Sequence, residues 1–246
     1  MSRILEVAGL TKEFTLYILG GKKIHALDGV SFCMDEGEIV GLTGQSGSGK
    51  STLMKCIYRT YLATSGTIQM RTADGELLDL ARADEHRVLK LRRAEMTCCS
   101  QFLHAIPRVP ALDVVAEGLL LRGSEREAAF RASRECFERL ALPRELWDAW
   151  PSTFSGGEQQ RINISRAILS NPRFLLVDEP TASLDLRTKD AVIDMLLELK
   201  ARGTSILLIT HDEHTLNRLA DRCLRLENGK VSQRGNGALI SQEVSG

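Results

Sequence analysis

A glycine-rich segment that begins at residue 44 has the residue types and the spacing of a phosphate-binding loop. It fits the pattern Gly-x-x-x-x-Gly-Lys-[Ser/Thr], in which backbone N–H groups surround the β-phosphate and the lysine reaches the phosphate charge. We call residues 44–51 the phosphate loop and take residue 52 as part of the same site. The predicted nucleotide-binding residues are Gly44, Gln45, Ser46, Gly47, Ser48, Gly49, Lys50, Ser51 and Thr52.

The elements on either side of the phosphate loop are those that such a loop needs. Residues 38–43 form a short apolar run that predicts a buried strand, and residues 51–57 predict the first turns of a helix. The N-terminus of that helix carries a partial positive charge, which favours a phosphate group. This strand–loop–helix order makes an accidental glycine-rich turn the weaker interpretation.

A second segment, residues 154–161, reads Phe-Ser-Gly-Gly-Glu-Gln-Gln-Arg. Ser155 with Glu158 three residues later has the pattern of a capping box, which predicts an ordinary helix start. A helix start that carries two glycines, Gly156 and Gly157, is also a good site for an anion. The two interpretations are compatible, and both stay open from the residues alone.

Two neighbouring carboxylates, Asp178 and Glu179, follow four apolar residues at 174–177. The apolar run predicts a strand that is buried on both faces of a parallel sheet. Acids at the end of such a strand are costly to bury unless they meet a cation or a reacting group. Asp178 suits a water-mediated contact with Mg²⁺, and Glu179 is then placed to polarise an attacking water. A solvated pair of acids is the alternative.

In this order, the three segments resemble the ATP-binding-cassette (ABC) ATPases. That family usually has leucine where this chain has Phe154 and often has glutamine where it has Glu158. The resemblance implies a head-to-tail dimer with two ATP molecules in its interface. It also implies that Ser155, Gly156, Gly157 and Glu158 of one copy close over the γ-phosphate held by the other, and that Ser51 binds Mg²⁺ directly. We call residues 154–161 the signature segment.

Four more positions match the family, and three of them also have a plainer interpretation. Phe14 lies where the family places an aromatic ring on adenine, although a core phenylalanine is nearly as expected and Tyr17 competes for the role. Gln101 resembles the glutamine that touches Mg²⁺ and the attacking water, whereas a lone glutamine is usually a surface residue. Asp185 resembles the acid of a loop that crosses the dimer interface, or it caps the next helix. His211 resembles the histidine that hydrogen-bonds the γ-phosphate.

Further segments closely resemble the L-type ATP-binding subunit of the bacterial carbon–phosphorus lyase system for phosphonate use. They are residues 57–62, 100–112, 146–147 and 151–161. This resemblance implies subunits of the phosphonate lyase complex as partners, with the chain's own chemistry limited to ATP hydrolysis. A C-x-x-x-C-x-x-C cluster is missing, so the chain is not the iron–sulfur subunit that cleaves the bond. The alternative is the ATPase subunit of a membrane transporter for lipoprotein release or peptide export.

Other functional classes fit less well. A DNA-repair ATPase would need a long heptad insertion or basic patches, and a small-molecule kinase has no use for the signature segment. Lysine plus arginine and aspartate plus glutamate number 32 each, so no net field favours nucleic acid. No apolar run approaches 18 residues, so we expect no membrane insertion. Six cysteines without a C-x-x-C pair and the lack of a signal pattern predict a cytoplasmic protein with reduced thiols.

The predicted fold class is α/β, as one ABC-type nucleotide-binding domain over residues 1–246. Its mostly parallel sheet, flanked by helices, should come from residues 1–102 and 160–246, together with a small antiparallel β subdomain. Residues 4–34 alternate weakly, which predicts short strands with a turn around residues 20–23, and residues 67–70 add a strand to this antiparallel layer. Pro107 and Pro110 mark a loop, and the helical patterns that follow it predict an inserted helical subdomain over about 103–159. Ser124 with Glu127 predicts a capping box at the start of its second helix. We expect the partner to dock near residues 102–120.

Overall fold

Two β-sheets and seven α-helices make up the described part of the chain, which is residues 2–103 and 107–233 of a computed structural model. The strands are β1 Arg3–Leu16, β2 Lys22–Asp35, β3 Ile39–Thr43, β4 Ser65–Arg71, β5 Leu77–Asp79, β6 Met96–Cys99, β7 Phe174–Asp178, β8 Ser205–Ile209, β9 Arg222–Glu227 and β10 Lys230–Gln233. The helices are α1 Lys50–Ile57, α2 Glu85–Ala94, α3 Ala111–Leu121, α4 Arg126–Arg139, α5 Gly156–Leu169, α6 Leu186–Ala201 and α7 Glu213–Leu219. Among these residues, no helix combines the length and the apolar character that crossing a membrane requires.

The larger sheet has the strand order β10-β9-β3-β8-β7-β6, and all neighbours are parallel except the β9–β10 hairpin. Every residue of β7 and β8 is buried, which explains why both strands read as continuous apolar runs. The carboxyl ends of β3, β8 and β7 meet at one edge of the sheet, where ligands bind in open α/β sheets. The predicted mostly parallel sheet is confirmed, and this edge carries the candidate site.

The smaller sheet is antiparallel, with the strand order β2-β1-β4-β5. The first two strands are each 14 residues long, which is longer than the short strands that the weak alternation predicts. Gly20 and Gly21 have φ angles of 66° and 81° and form the predicted turn between them. The predicted strand at 67–70 lies within β4, which pairs with β1. The antiparallel layer is therefore confirmed.

A third group of elements, α3, α4 and the start of α5, packs around its own apolar cluster. Phe137 and Ile162 are fully buried in that cluster, whereas the sheet residues belong to two other clusters. One local prediction is wrong by a residue. Helix α4 is capped by Glu125, whose side chain accepts from the N–H of Ala128, and not by Ser124. The boundaries 103 and 159 of the helical insertion stay a prediction.

Candidate active site

The phosphate loop runs from the end of β3 to the second residue of α1, and two of its glycines are required by close contacts. A Cβ on Gly44 would lie 2.1 Å from the carbonyl oxygen of Leu226, and one on Gly49 would lie 2.4 Å from that of Ala26. Both glycines also have positive φ angles, of 141° and 107°, which side chains rarely adopt. Gly47, in contrast, has nothing within 4 Å of such a Cβ, so this part of the loop is open.

A cleft of about 450 Å³ opens beside this loop, within the usual size range of small-molecule sites. It brings together residues that the sequence places on separate segments: five of the phosphate loop, residue 52, Gln101, the acid pair and His211, whereas Gly44, Gln45 and Ser48 of the loop do not line it. The lining residues are Ile24, His25, Ala26, Ser46, Gly47, Gly49, Lys50, Ser51, Thr52, Gln101, Asp178, Glu179, Ala182, Ile209 and His211. Four segments far apart in sequence thus meet at the carboxyl edge of the parallel sheet.

Lys50 is buried in the loop with its ammonium group held by carbonyl oxygens. Its Nζ donates to the oxygen of Gly44 at 2.6 Å and to that of Gln45 at 2.9 Å. Burial lowers the pKa of the lysine, and the nearby charges of Glu179 and Asp178 act in the opposite direction. No carboxylate of the described residues pairs directly with this ammonium group, and a buried cation in that position is stabilised when an anionic group arrives. Ser48 adds a buried hydroxyl oxygen that has no partner among the described residues.

Ser51 and Asp178 form a second polar contact in the cleft. The Ser51 hydroxyl donates to Oδ2 of Asp178 at 3.0 Å, and Asp178 is only 9% exposed. Burial raises the pKa of Asp178, while the hydroxyl of Ser51 and the charge of Lys50 partly offset that effect. A hydroxyl and a buried carboxylate at this distance are oxygen donors of the kind that Mg²⁺ prefers. The residues present therefore fit that ion.

Glu179 follows Asp178 and is held by several bonds. Its φ angle is 51°, in the left-handed region, and its N–H donates to the oxygen of Ile209 at 2.8 Å. The carboxylate accepts from the hydroxyl of Thr210 at 3.1 Å and lies 3.7 Å from Nε2 of His211. The carbonyl oxygen accepts from Nε2 of Gln160 at 3.1 Å. The sequence analysis did not identify Thr210 or Gln160 as site residues. Thr210 precedes His211 and Gln160 lies within the signature segment, and no pattern marks either as functional.

The signature segment lies outside the cleft lining of its own chain. Ser155 caps α5, accepting from the N–H of Glu158, while Oε2 of Glu158 accepts from the N–H of Ser155 at 2.8 Å. This confirms the capping box. Ser155 and Gly156 are exposed, whereas a Cβ on Gly157 would lie 2.8 Å from the backbone oxygen of Ser183. The first turn of α5 therefore packs against residue 183 and leaves its start open to solvent.

Asp185 is also absent from the cleft lining, and the structure shows it as a helix cap. Its carboxylate accepts from the N–H and the hydroxyl of Thr188, at 3.0 and 2.8 Å, at the start of α6. These bonds lower the pKa of Asp185. Arg161 of the signature segment lies 3.4 Å from the same carboxylate. The capping alternative is therefore realised, and the role at a dimer interface stays a prediction.

Phe14 does not line the cleft. Its ring meets the edge of Tyr61, with 5.4 Å between the ring centroids, and Nζ of Lys12 lies 4.7 Å from its centroid. Its partner across the β1–β2 ladder, Ile24, does line the cleft. Tyr17, the competing aromatic residue, is 85% exposed at the hairpin tip. Stacking of Phe14 on adenine stays a prediction.

Residues 27–182, more than half of the chain, match the family described as ABC transporter. The chain belongs to this family. ATP binding and hydrolysis are characteristic of its members, and the chain is an ATPase of the ABC type.

Individual relatives extend this match over most of the chain. The lipoprotein-releasing system ATP-binding protein LolD of Geobacter metallireducens is 35% identical over 94% of this chain and 99% of that protein. The methionine import ATP-binding protein MetN of Geobacillus kaustophilus is 34% identical over 89% of this chain and 63% of that protein. The dimeric post-hydrolysis structure of the ATP-binding cassette MJ0796, bound to ADP and Pi, has a TM-score of 0.84 at 29% identity, over 95% of this chain and 98% of that one. The predicted fold class is confirmed.

Proposed function

We propose that the chain is the ATP-hydrolysing subunit of an ABC-type membrane transporter and that it works as one half of a head-to-tail pair around two MgATP molecules. One observation carries the proposal. The cleft gathers Lys50, Ser51, Asp178 and Glu179, while the signature segment lies outside that cleft and starts at an exposed turn. A second ABC ATPase subunit, identical or a sibling, supplies the missing half-site. The dimeric state described for the MJ0796 cassette supports such a pairing.

The chain's own residues act by position and charge and not by covalent chemistry. The ammonium group of Lys50 moves from the loop carbonyls to the β- and γ-phosphates, where it neutralises their charge. Glu179 orients the attacking water and accepts its proton. His211, on the other side of that carboxylate, hydrogen-bonds the γ-phosphate, and Gln101 contacts the water. Ser155, Gly156, Gly157 and Glu158 of the second subunit close over the γ-phosphate, with Asp185 beside them.

Ser51 and Asp178 would hold Mg²⁺, with Gln101 at its edge, and the bound ion adds positive charge next to the phosphates. Ser51 would supply its hydroxyl oxygen, and Asp178 would act through a water, since Mg²⁺ usually keeps several of its water ligands. The buried carboxylate that this requires is a cost to the protein in the absence of the ion.

Asp178→Asn should raise the thermal unfolding midpoint of the nucleotide-free protein by about 2–4 °C. The pKa of Asp178 is raised by burial, so its ionised form destabilises the fold at neutral pH, and this cost disappears below the ordinary carboxyl pKa. An amide keeps an oxygen for the Ser51 hydroxyl but carries no charge. The same change should remove most of the added stability that Mg²⁺ gives in the presence of ATP. Scanning fluorimetry with and without MgATP checks both effects, and a lower midpoint without nucleotide would contradict this account of Asp178.

The relatives described above favour a transporter partner over the phosphonate lyase complex. Both LolD and MetN are named for transport systems, and LolD matches this chain along nearly its whole length. The carbon–phosphorus lyase complex stays the second candidate, because residues 57–62, 146–147 and 151–161 closely resemble its L-type subunit. A further resembling stretch, 100–112, includes residues 104–106, which lie outside the described residues. The helical insertion, the docking surface near 102–120 and the cytoplasmic location belong to the proposal in either case.

Purification of a tagged chain from its native host should recover an integral membrane protein in a detergent extract, more strongly with ATP. Coupling between ATP and partner is reciprocal, so the partner should also change the ATP affinity.

Deletion of the gene should leave growth on methylphosphonate as sole phosphorus source unchanged. If the chain instead co-purifies with soluble lyase subunits, and the deletion blocks that growth without affecting growth on phosphate, the lyase candidate replaces the transporter. Glu179→Gln should fail to rescue the deletion phenotype in either system.

A further inference from the structure

Glu179 is fixed at three separate points although its backbone conformation is unfavourable. With φ at 51°, a residue that has a Cβ needs its surroundings to hold it in place. The N–H is held by the oxygen of Ile209 in β8, at 2.8 Å. The carbonyl oxygen and the carboxylate are held by two side chains, Gln160 and Thr210, each at 3.1 Å. The position of this carboxylate therefore depends on residues outside its own strand.

The Thr210 hydroxyl has only one orientation that satisfies its neighbours. Its oxygen accepts from the N–H of Asp212 at 3.1 Å, so its single hydrogen is left to point at Oε2 of Glu179. Thr210 is fully buried, so this hydroxyl is shielded from solvent on its own side of the bond. The hydroxyl therefore restricts the carboxylate to one side, next to His211.

Gln160 holds the other end of Glu179 from the helix that carries the signature segment. It is 4% exposed, and its side chain lies less than two turns along α5 from the capping residue Ser155. One turn further on, Asn163 is fully buried and donates to the carbonyl oxygen of Ser100, beside Gln101. Residues three apart share a helix face, so both side-chain amides donate from one side of α5 to backbone carbonyl oxygens at the edge of the sheet. A tilt of α5 must therefore displace the backbone at Glu179 and next to Gln101.

We propose that Gln160 and Thr210 are positioning residues for Glu179, and that Gln160 couples the signature segment to the carboxylate of the same chain. This rests on the proposed head-to-tail pair, in which the signature segment of one chain meets the nucleotide bound by the other. Closure over the nucleotide at one site then shifts α5 and sets Glu179 at the second site. The two hydrolysis sites are thereby linked through one buried amide.

The first test replaces each donor by an isosteric apolar residue, in Gln160→Met and Thr210→Val. Each change should lower kcat about tenfold, as expected for a lost hydrogen bond to a charged or strained group, with KM for ATP changed less than about twofold. Thr210→Ser keeps the hydroxyl and should keep most of the activity. Thr204→Val is the matched control, because it removes another buried hydroxyl at the opposite end of β8, where Thr204 donates to the oxygen of Pro172 at 2.7 Å. That control should lower stability and leave kcat unchanged.

The second test measures coupling with a double-mutant cycle in kcat. Ser155→Ala should reduce turnover less in the Gln160→Met background than in the parent, by at least about threefold, whereas its effect should be unchanged in the Thr210→Val background. Additive effects of Ser155→Ala and Gln160→Met would overturn the coupling. Parent-like kcat in both Gln160→Met and Thr210→Val would overturn the positioning role. If the parent protein neither hydrolyses ATP nor forms a pair in its presence, the proposed function is refuted instead. Failure of the proposed function can therefore be told apart from failure of the positioning role.

Discussion

Lys50→Ala should weaken MgATP binding by roughly 100-fold, which corresponds to about 3 kcal/mol. The ammonium group of Lys50 is the buried cation of the phosphate loop, and loop carbonyls alone hold it among the described residues. Its removal leaves the β- and γ-phosphate charge without its main point charge. Calorimetric titration of the purified variant with MgATP measures the loss.

The matched control for this change is Lys55→Ala, on the same helix. Nζ of Lys55 lies 5.3 Å from the ring centroid of Tyr61, and the residue does not line the cleft. This variant removes the same charge and should bind MgATP within about twofold of the parent, since exposed charges contribute little. Equal MgATP affinities for the parent and the Lys50→Ala variant would contradict the assignment of residues 44–51 as a phosphate loop.

Glu179→Gln should keep the affinity for MgATP and reduce hydrolysis by about 10²- to 10⁴-fold, the usual contribution of a general base. The amide oxygen can still accept from Thr210, so the side chain keeps its place. It cannot take a proton from the attacking water. Phosphate release, measured beside calorimetric binding, separates the two effects. Glu76→Gln, on an exposed turn of the antiparallel sheet, is the control and should turn over like the parent.

The phosphate loop and the acid pair could be predicted from sequence because short stretches of chain determine them. The loop needs only a buried strand, glycines and a lysine at fixed spacing, and a helix start, all within residues 38–57. Likewise, the four apolar residues of β7 place Asp178 and Glu179 at the sheet edge without reference to distant residues. These local rules also gave the parallel sheet and the capping box of α5.

The contacts that fix Glu179 could not be predicted in this way. They depend on β8 lying beside β7, and on α5 crossing the end of β7, which no local pattern encodes. Phe14 illustrates the same limit. The sequence places it upstream of the phosphate loop, at a spacing on the long side for the family, and its ring contact with Tyr61 depends on how the antiparallel sheet packs on the segment after α1. At Asp185 both interpretations were chemically sound, and only the fold shows the bonds to Thr188.

The mass of the Glu179→Gln variant in solution, measured by light scattering with and without MgATP, tests most directly whether the site is shared between two copies. The slow variant should remain loaded with ATP, so a closed pair should accumulate. We expect the mass of a single chain without nucleotide and twice that mass with saturating MgATP. Adding Lys50→Ala to the same chain should abolish the doubling. A single-chain mass at saturating MgATP, with calorimetry showing the nucleotide bound, would contradict the head-to-tail pair of identical chains.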